Sequence, residues 1–280
     1  MCELLGLSSN QPATVNVSIG TLAEHGSVGG SLKDGWGIAY YEGKDIRLIK
    51  DADSAYDSDW IRFIREHKLR SHIVIAHVRT ATVGSRAYRN TQPFTRELAG
   101  RMHAFAHNGS LPALIGSGRL GSQRFHPVGE TDSEVAFCQL LEQMTPLWGK
   151  DDDIPELDAR LAIVSNFAAG LRTMGPANFL YSDGDVLFAH GHRRRQAASP
   201  KVKAPGLVYL QRVCHVTEHT TAVSGLSFYS PDQSVALIAS VPLNGEGWSA
   251  LAEGEVIALR NGEIVARRSA TSAETPMRGS

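Results

Sequence analysis

The chain has 280 residues, 42% of them hydrophobic, and a formal net charge of -1. That length buries a substantial core in one large domain or two small ones, and the near-neutral balance gives no electrostatic basis for a nucleic-acid or membrane partner. No apolar run approaches the roughly 18 residues of a membrane span. The first residues, Met1-Cys2-Glu3-Leu4-Leu5-Gly6-Leu7, lack the pattern of a secretory signal, and the 3 cysteines (Cys2, Cys138, Cys214) do not suggest a disulfide framework. The expectation is a cytoplasmic protein in which Cys2 is a free thiol.

Short β-type runs are expected at residues 3–7, 37–41 and 46–50, the last two joined by a hairpin at Glu42-Gly43-Lys44-Asp45. Ser58 stands where it would cap a helix running through Trp60, Ile61, Phe63 and Ile64 to His67. Strongly apolar strands follow at 73–78 and 102–106. Thr131 and Glu134 form a Thr-x-x-Glu capping box before Val135, Phe137, Leu140 and Leu141. Residues 157–174 carry apolar positions at helical spacing and stop at Gly175-Pro176. Strands at 178–181 and 186–190 turn around Asp183-Gly184, and others are expected at 207–213, 235–241 and 255–265, the last turning at Asn261-Gly262. Segments 116–122 and 150–153 read as surface loops. One domain over 1–268 and a flexible tail over 269–280 are expected. Many strands with few, clustered helices favour layered sheets covered by helices over alternating βαβ units.

Four segments place polar groups where elements begin or end: Asp34-Gly35-Trp36-Gly37-Ile38-Ala39, Ala76-His77-Val78-Arg79-Thr80-Ala81-Thr82, Ala106-His107-Asn108-Gly109-Ser110-Leu111 and Gly129-Glu130-Thr131-Asp132-Ser133-Glu134. Such positions suit a shared cleft. Taken singly each has an ordinary explanation. A cysteine at position two signifies little, Arg79 reads as a surface cation, Asp132 suits the positive end of its helix, and Asn-Gly is a common turn dipeptide. Splitting a carboxamide, for comparison, needs a nucleophile, a base, oxyanion donors and groups of both charges to orient a substrate. Removal of Met1 would leave Cys2 with an α-amine of reference pKa about 7.7–8.0 beside its own thiol, so one residue could supply nucleophile and base.

In order, spacing and residue type these motifs, behind Met1-Cys2, resemble the class II glutamine amidotransferases, and most nearly their stand-alone YafJ-like branch. The similarity runs on through Pro93-Phe94-Thr95-Arg96-Glu97-Leu98 and Glu130-Thr131-Asp132-Ser133-Glu134 to Pro242-Leu243. The resemblance implies an α+β fold, the N-terminal nucleophile hydrolase four-layer αββα sandwich with two stacked antiparallel sheets. It implies Cys2 as nucleophile with its α-amine as base, and Asn108 with the Gly109 N–H as oxyanion hole. It also implies Arg79 as the grip on a substrate carboxylate, Asp132 as receiver of the substrate ammonium, and Thr82 and Val83 as lining of the carboxylate end. The implied substrate is glutamine or a γ-glutamyl compound, cleaved through a Cys2 thioester. Alternatives are a glutaminase subunit that delivers ammonia to a separate synthase, or a non-catalytic glutamine or γ-glutamyl sensor. Thr80, Val83 and Gln92 depart from better-known members at positions associated with lid closure and acceptor coupling.

The remaining features carry little chemistry. His103-x-x-x-His107 and His215-x-x-x-His219 lack the Glu of a His-Glu-x-x-His site, and Gly26-Ser27-Val28-Gly29-Gly30-Ser31 lacks the Lys of a phosphate-binding loop. Neither a metal nor a cofactor is expected. The basic run at 190–195 reads as a solvated loop, Cys138 as a buried small hydrophobe, and Trp36 and Trp60 as packing residues.

Overall fold

Alternation along the first strand, β1 (Glu3–Val15), sets the architecture. Leu5 and Leu7 pack into one apolar cluster, whereas Leu4 packs into another on the opposite face. Gly6 lies on the Leu4 side, where a side chain would meet Leu180 and Leu187 at 3.0–3.1 Å. A strand buried on both faces must be covered twice, and the chain does this with a second sheet on one face and a helix on the other.

The computed structural model describes residues 2–15, 34–54, 58–80, 84–116, 124–149, 153–196, 199–214, 226–227, 232–245 and 247–270. Thr82, Val83, His215, His219, the 26–31 stretch, most of the two expected surface loops and the tail beyond 270 lie outside the described residues.

After β1 come β2 (Trp36–Glu42), β3 (Asp45–Asp51), α1 (Asp59–His67) and β4 (Arg70–Val78). Next are β5 (Phe94–Leu98), β6 (Arg101–Gly109), α2 (Pro112–Gly116), α3 (Asp132–Met144) and α4 (Leu157–Arg172). The chain continues through β7 (Ala177–Ser182), β8 (Leu187–His190), β9 (Arg194–Gln196), β10 (Ser199–Lys203) and β11 (Val208–Cys214). It closes with β12 (Leu226–Ser227), β13 (Gln233–Ala239), β14 (Ser249–Ala250), β15 (Val256–Arg260) and β16 (Glu263–Arg268).

One antiparallel sheet has the order β14-β11-β13-β1-β4-β2-β3, with β12 added to β1; the other runs β16-β15-β8-β7-β6-β5. Leu4, Ile75, Ala106, Leu180, Ile238 and Ile257 fill the space between them. Ile61 and Ile64 of α1 cover the outer face of the first sheet. Phe137 and Leu141 of α3, with Val164 and Phe167 of α4, cover the second against Phe105 and Phe179. The result is the α+β, four-layer αββα sandwich that the family resemblance implied.

Several local details differ from expectation. β5 was not foreseen from its pattern; it is a short edge strand whose middle residues are polar, so alternation is faint. Trp60 is not a core residue: it is 53% exposed and meets the Phe63 ring edge-on, because α1 turns Ile61 and Ile64 inward. The basic run is not a solvated loop. His190, His192 and Arg194 are buried, and Arg194 pairs with the equally buried Glu3 at 2.9 Å. The capping box forms by half: Thr131 Oγ1 accepts the Glu134 N–H, but the Glu134 carboxylate turns to the Gly129 N–H and to Arg96.

Candidate active site

Register brings the four motifs to one end of the sandwich. Glu3 and Trp36 both pair with Val78, so Cys2 enters β1 beside Arg79 and Thr80 as they leave β4. In the other sheet Asn108 and Gly109 end β6, opposite Asn178 and Ala177 of β7. Even-numbered residues of β6, such as Ala104 and Ala106, face the first sheet. The same alternation sends Asn108 across to the start of β1, where its Nδ2 donates to the Cys2 carbonyl at 2.6 Å.

The Cys2 sulfur is bracketed by one residue. The Thr80 N–H donates to Sγ, and the thiol donates to the Thr80 carbonyl, both at 3.2 Å. Burial pushes the thiol pKa up, against lowering by the Thr80 hydrogen bond and Arg79. A thiol so placed stays protonated at neutral pH, and its use as a nucleophile requires a base.

Asn108 Nδ2 also lies 3.4 Å from Ser240 Oγ, a hydroxyl that accepts the Leu4 N–H at 3.0 Å. The Asn108 carbonyl accepts from Asn178 Nδ2 at 3.1 Å. Gly109 is dictated by contact. A Cβ there would sit 1.9 Å from the Pro176 carbonyl oxygen, while the next N–H, of Ser110, donates to that same oxygen at 3.2 Å.

Asp132 is the first residue of α3 and is buried. Its Oδ2 accepts the Leu111 N–H at 2.6 Å; its Oδ1 accepts the Ser133 N–H at 2.8 Å and the Ser133 hydroxyl at 3.3 Å. The carboxylate thus ties the helix start to the segment just beyond Gly109. Three of its roughly four acceptor positions are used.

Arg79 is buried, and its backbone pairs with the Asp34-Gly35 segment. Its guanidinium donates to the carbonyls of Asp34, Gly84 and Ser85 at 3.2–3.3 Å. The loop carrying Gly84 and Ser85 is anchored to the approach to α3. Glu130 accepts from Ser85, Asn90 and Arg89, and these donors hold its carboxyl down to about 2. Cys2, Arg79, Asn108, Gly109 and Asp132 therefore gather at one end of the fold, while Thr82 and Val83 lie outside the described residues.

Several supporting residues escaped the sequence reading. Gln92 is interior: its amide exchanges two hydrogen bonds with the His107 backbone, at 2.6 and 3.2 Å, and so holds β6 one residue before Asn108. Arg194 donates to Glu3 and to the Ser240 carbonyl, locking the residue after Cys2 to the end of β13. His107 Nδ1 bonds Ser133 Oγ at 2.9 Å. His77, buried with neither ring nitrogen hydrogen-bonded among the described residues, is pushed down to about 3 by burial, His107 and Arg79. No local signal marks Gln92 or Arg194 in these roles, because each acts through a partner distant in sequence. Among the described residues no group of three or more His, Cys, Asp or Glu is arranged to hold a metal ion.

The model of the family described as glutamine amidotransferases class-II matches residues 1–279. The chain is 36% identical over 256 residues to YafJ of Escherichia coli (strain K12), which is named as a candidate glutamine amidotransferase, covering 91% of this chain and 96% of that protein. A crystal structure titled as a predicted glutamine amidotransferase from Pseudomonas aeruginosa PA01 superposes with TM-score 0.65 and 30% identity, over 95% of this chain and 100% of that one. Glutamine phosphoribosylpyrophosphate amidotransferase from B. subtilis, at 15% identity and TM-score 0.59, shares the fold over 96% of this chain and 49% of its own.

Proposed function

The chain belongs to the class II glutamine amidotransferases, and from that premise we propose that it hydrolyses the side-chain amide of glutamine or a γ-glutamyl compound through a thioester on Cys2. The observation that carries the reading is the Cys2 sulfur held between the Thr80 N–H and carbonyl, with Asn108 reaching the same residue from the opposite sheet.

Removal of Met1 frees the Cys2 α-amine, whose neutral form takes the thiol proton; with a reference pKa of about 7.7–8.0 it is partly neutral at physiological pH. Burial holds the thiol up, so this transfer and the attack are one requirement. Sulfur adds to the carboxamide carbon, and the oxygen gains the negative charge. Asn108 Nδ2 and the Gly109 N–H are the donors for that charge. Collapse breaks the C–N bond, and ammonia or amine leaves with the proton from the α-ammonium. Water then adds to the thioester with the α-amine again as base, which releases the acid and restores the thiol.

Arg79 takes the substrate α-carboxylate, with Thr82 and Val83 lining that end. Asp132 takes the α-ammonium at its remaining acceptor position.

Mass spectrometry of the intact protein first establishes that Met1 is absent. That protein is expected to release ammonia from glutamine or a γ-glutamyl amide. It should also be labelled by 6-diazo-5-oxonorleucine, with the label lost in Cys2→Ala. No turnover across a panel of such amides by protein with a free Cys2 amine would refute the proposal.

A further inference from the structure

At the opposite end of the sandwich from Cys2, a cavity of ≈ 320 Å³ opens between the sheets. Ser9 on its wall lies on the same strand as Cys2, about 23 Å away at extended spacing. Tyr41 and His72 of the first sheet also line it, facing Arg101, Asp185 and Arg260 of the second.

Most of these polar groups are already engaged. Tyr41 Oη donates to the Ser182 carbonyl at 2.8 Å, and His72 Nδ1 donates to the Ser9 carbonyl at 3.1 Å. Arg160 reaches from α4 to Asp183 at 2.7 Å and Asp185 at 2.8 Å, and Arg260 also closes on Asp185. Two carboxylates thus answer two guanidiniums.

Arg101 is the charge left over. It is 9% exposed, and its Nε donates to the Asp183 carbonyl at 3.3 Å. Its Nη1 and Nη2 have no hydrogen-bond partner among the described residues. The residue is largely buried, yet these two nitrogens are not fully enclosed, so the fork stays open to the cavity, and a planar fork suits the two oxygens of a carboxylate or phosphate. The volume falls at the lower end of the range for small-molecule sites.

We propose that this cavity is a second small-molecule site, separate from Cys2, which takes a small anion by its carboxylate or phosphate group on Arg101. Calorimetric titration of the full chain with inorganic phosphate, and separately with succinate, tests it against sodium chloride at matched ionic strength. Saturable binding of at least one is expected, and the two arms separate phosphate from organic carboxylate. Arg101→Gln should weaken it at least about tenfold, the worth of one charge-assisted contact. Arg101→Lys, which keeps the charge but not the fork, should fall between. Cys2→Ala should bind as the parent does, so failure of the glutaminase reading leaves this result intact. Crystals soaked in the anion that binds read the same point without a variant: density beside Arg101 Nη supports the proposal. An empty cavity, no saturable binding by either anion, or unchanged affinity in Arg101→Gln overturns it.

Discussion

Replacing Gly109 by alanine would put a methyl carbon 1.9 Å from the Pro176 carbonyl oxygen and 2.6 Å from His107 Nε2. Neither neighbour can swing aside easily. Pro176 is backbone, engaged by the Ser110 N–H, and His107 is buried with its Nδ1 on Ser133. Relief of the overlap requires the end of β6 to move by about 1 Å relative to β7, which would displace the Gly109 N–H from the proposed oxyanion position. A misplacement of that size costs about 10²-fold in rate, and outright loss of one oxyanion donor costs about 10²–10³-fold. Gly109→Ala is therefore expected to lower kcat by about 10²–10³-fold with KM changed much less, since the donor acts on charge that develops in the transition state. Steady-state ammonia release measures this, and single-turnover formation of the Cys2 thioester places the defect at acylation. Circular dichroism and thermal melting confirm a folded variant. A folded Gly109→Ala protein with kcat within about threefold of the parent would refute the argument that this backbone amide serves the oxyanion.

Asp132→Asn keeps the shape but turns an amino group toward one of two backbone donors, so stability should fall by about 1–3 kcal/mol by urea denaturation. If Asp132 receives the substrate ammonium, KM for glutamine should also rise at least about tenfold; lowered stability with unchanged KM would leave Asp132 a structural role alone. Arg160→Met strands Asp183, which is fully buried, and should cost about 3–5 kcal/mol in the same assay, with a loss under about 1 kcal/mol counting against the pair. His77 and His190 are pushed down to about 3 and His103 to about 4, mainly by burial, so these rings fold neutral. The unfolded chain binds protons near pH 6.5 and the folded chain only near those lower values, so stability is full above about pH 6.5 and is lost as pH falls toward 4. Each ring adds a slope of about 1.4 kcal/mol per pH unit, and denaturation midpoints that stay flat from pH 7 to 5 would contradict their burial as neutral groups.

The parts of the fold that were legible are those where local pattern and tertiary burial agree. Residues 73–78 are apolar but for His77 because β4 lies inside its sheet and is covered on both faces. The turns at Gly43, Gly184 and Asn261-Gly262 announce themselves because the chain there adopts positive φ, which glycine and asparagine accept at low cost. β5 was hidden for the converse reason: an edge strand needs only part of one face covered, so Thr95, Arg96 and Glu97 interrupt the alternation. Trp60 shows the limit of reading by residue type. Its size suggested core, but its position on α1, beside the inward-facing Ile61, decided otherwise.

The site divides the same way. Cys2, Arg79, Asn108, Gly109 and Asp132 stand at element ends in recognisable local company, so the motifs could be matched as a set to the family they resemble. Their supports have no such company. Arg194 sits in a run of basic residues and looks solvated until Glu3, 191 positions earlier, is brought against it. Gln92 looks like a loop residue until its amide is seen to bind the His107 backbone in place of a neighbouring strand. For Gly109 the local sequence offered a turn dipeptide, whereas the actual constraint is a carbonyl oxygen 67 residues away whose approach no local propensity encodes. Chemistry at this end of the sandwich is written in short motifs, but the distances that would make it work are set by pairings across the whole chain. It follows that substitutions at Gln92 or Arg194, which touch no substrate, should reach Asn108 and Cys2 through the strands those side chains hold.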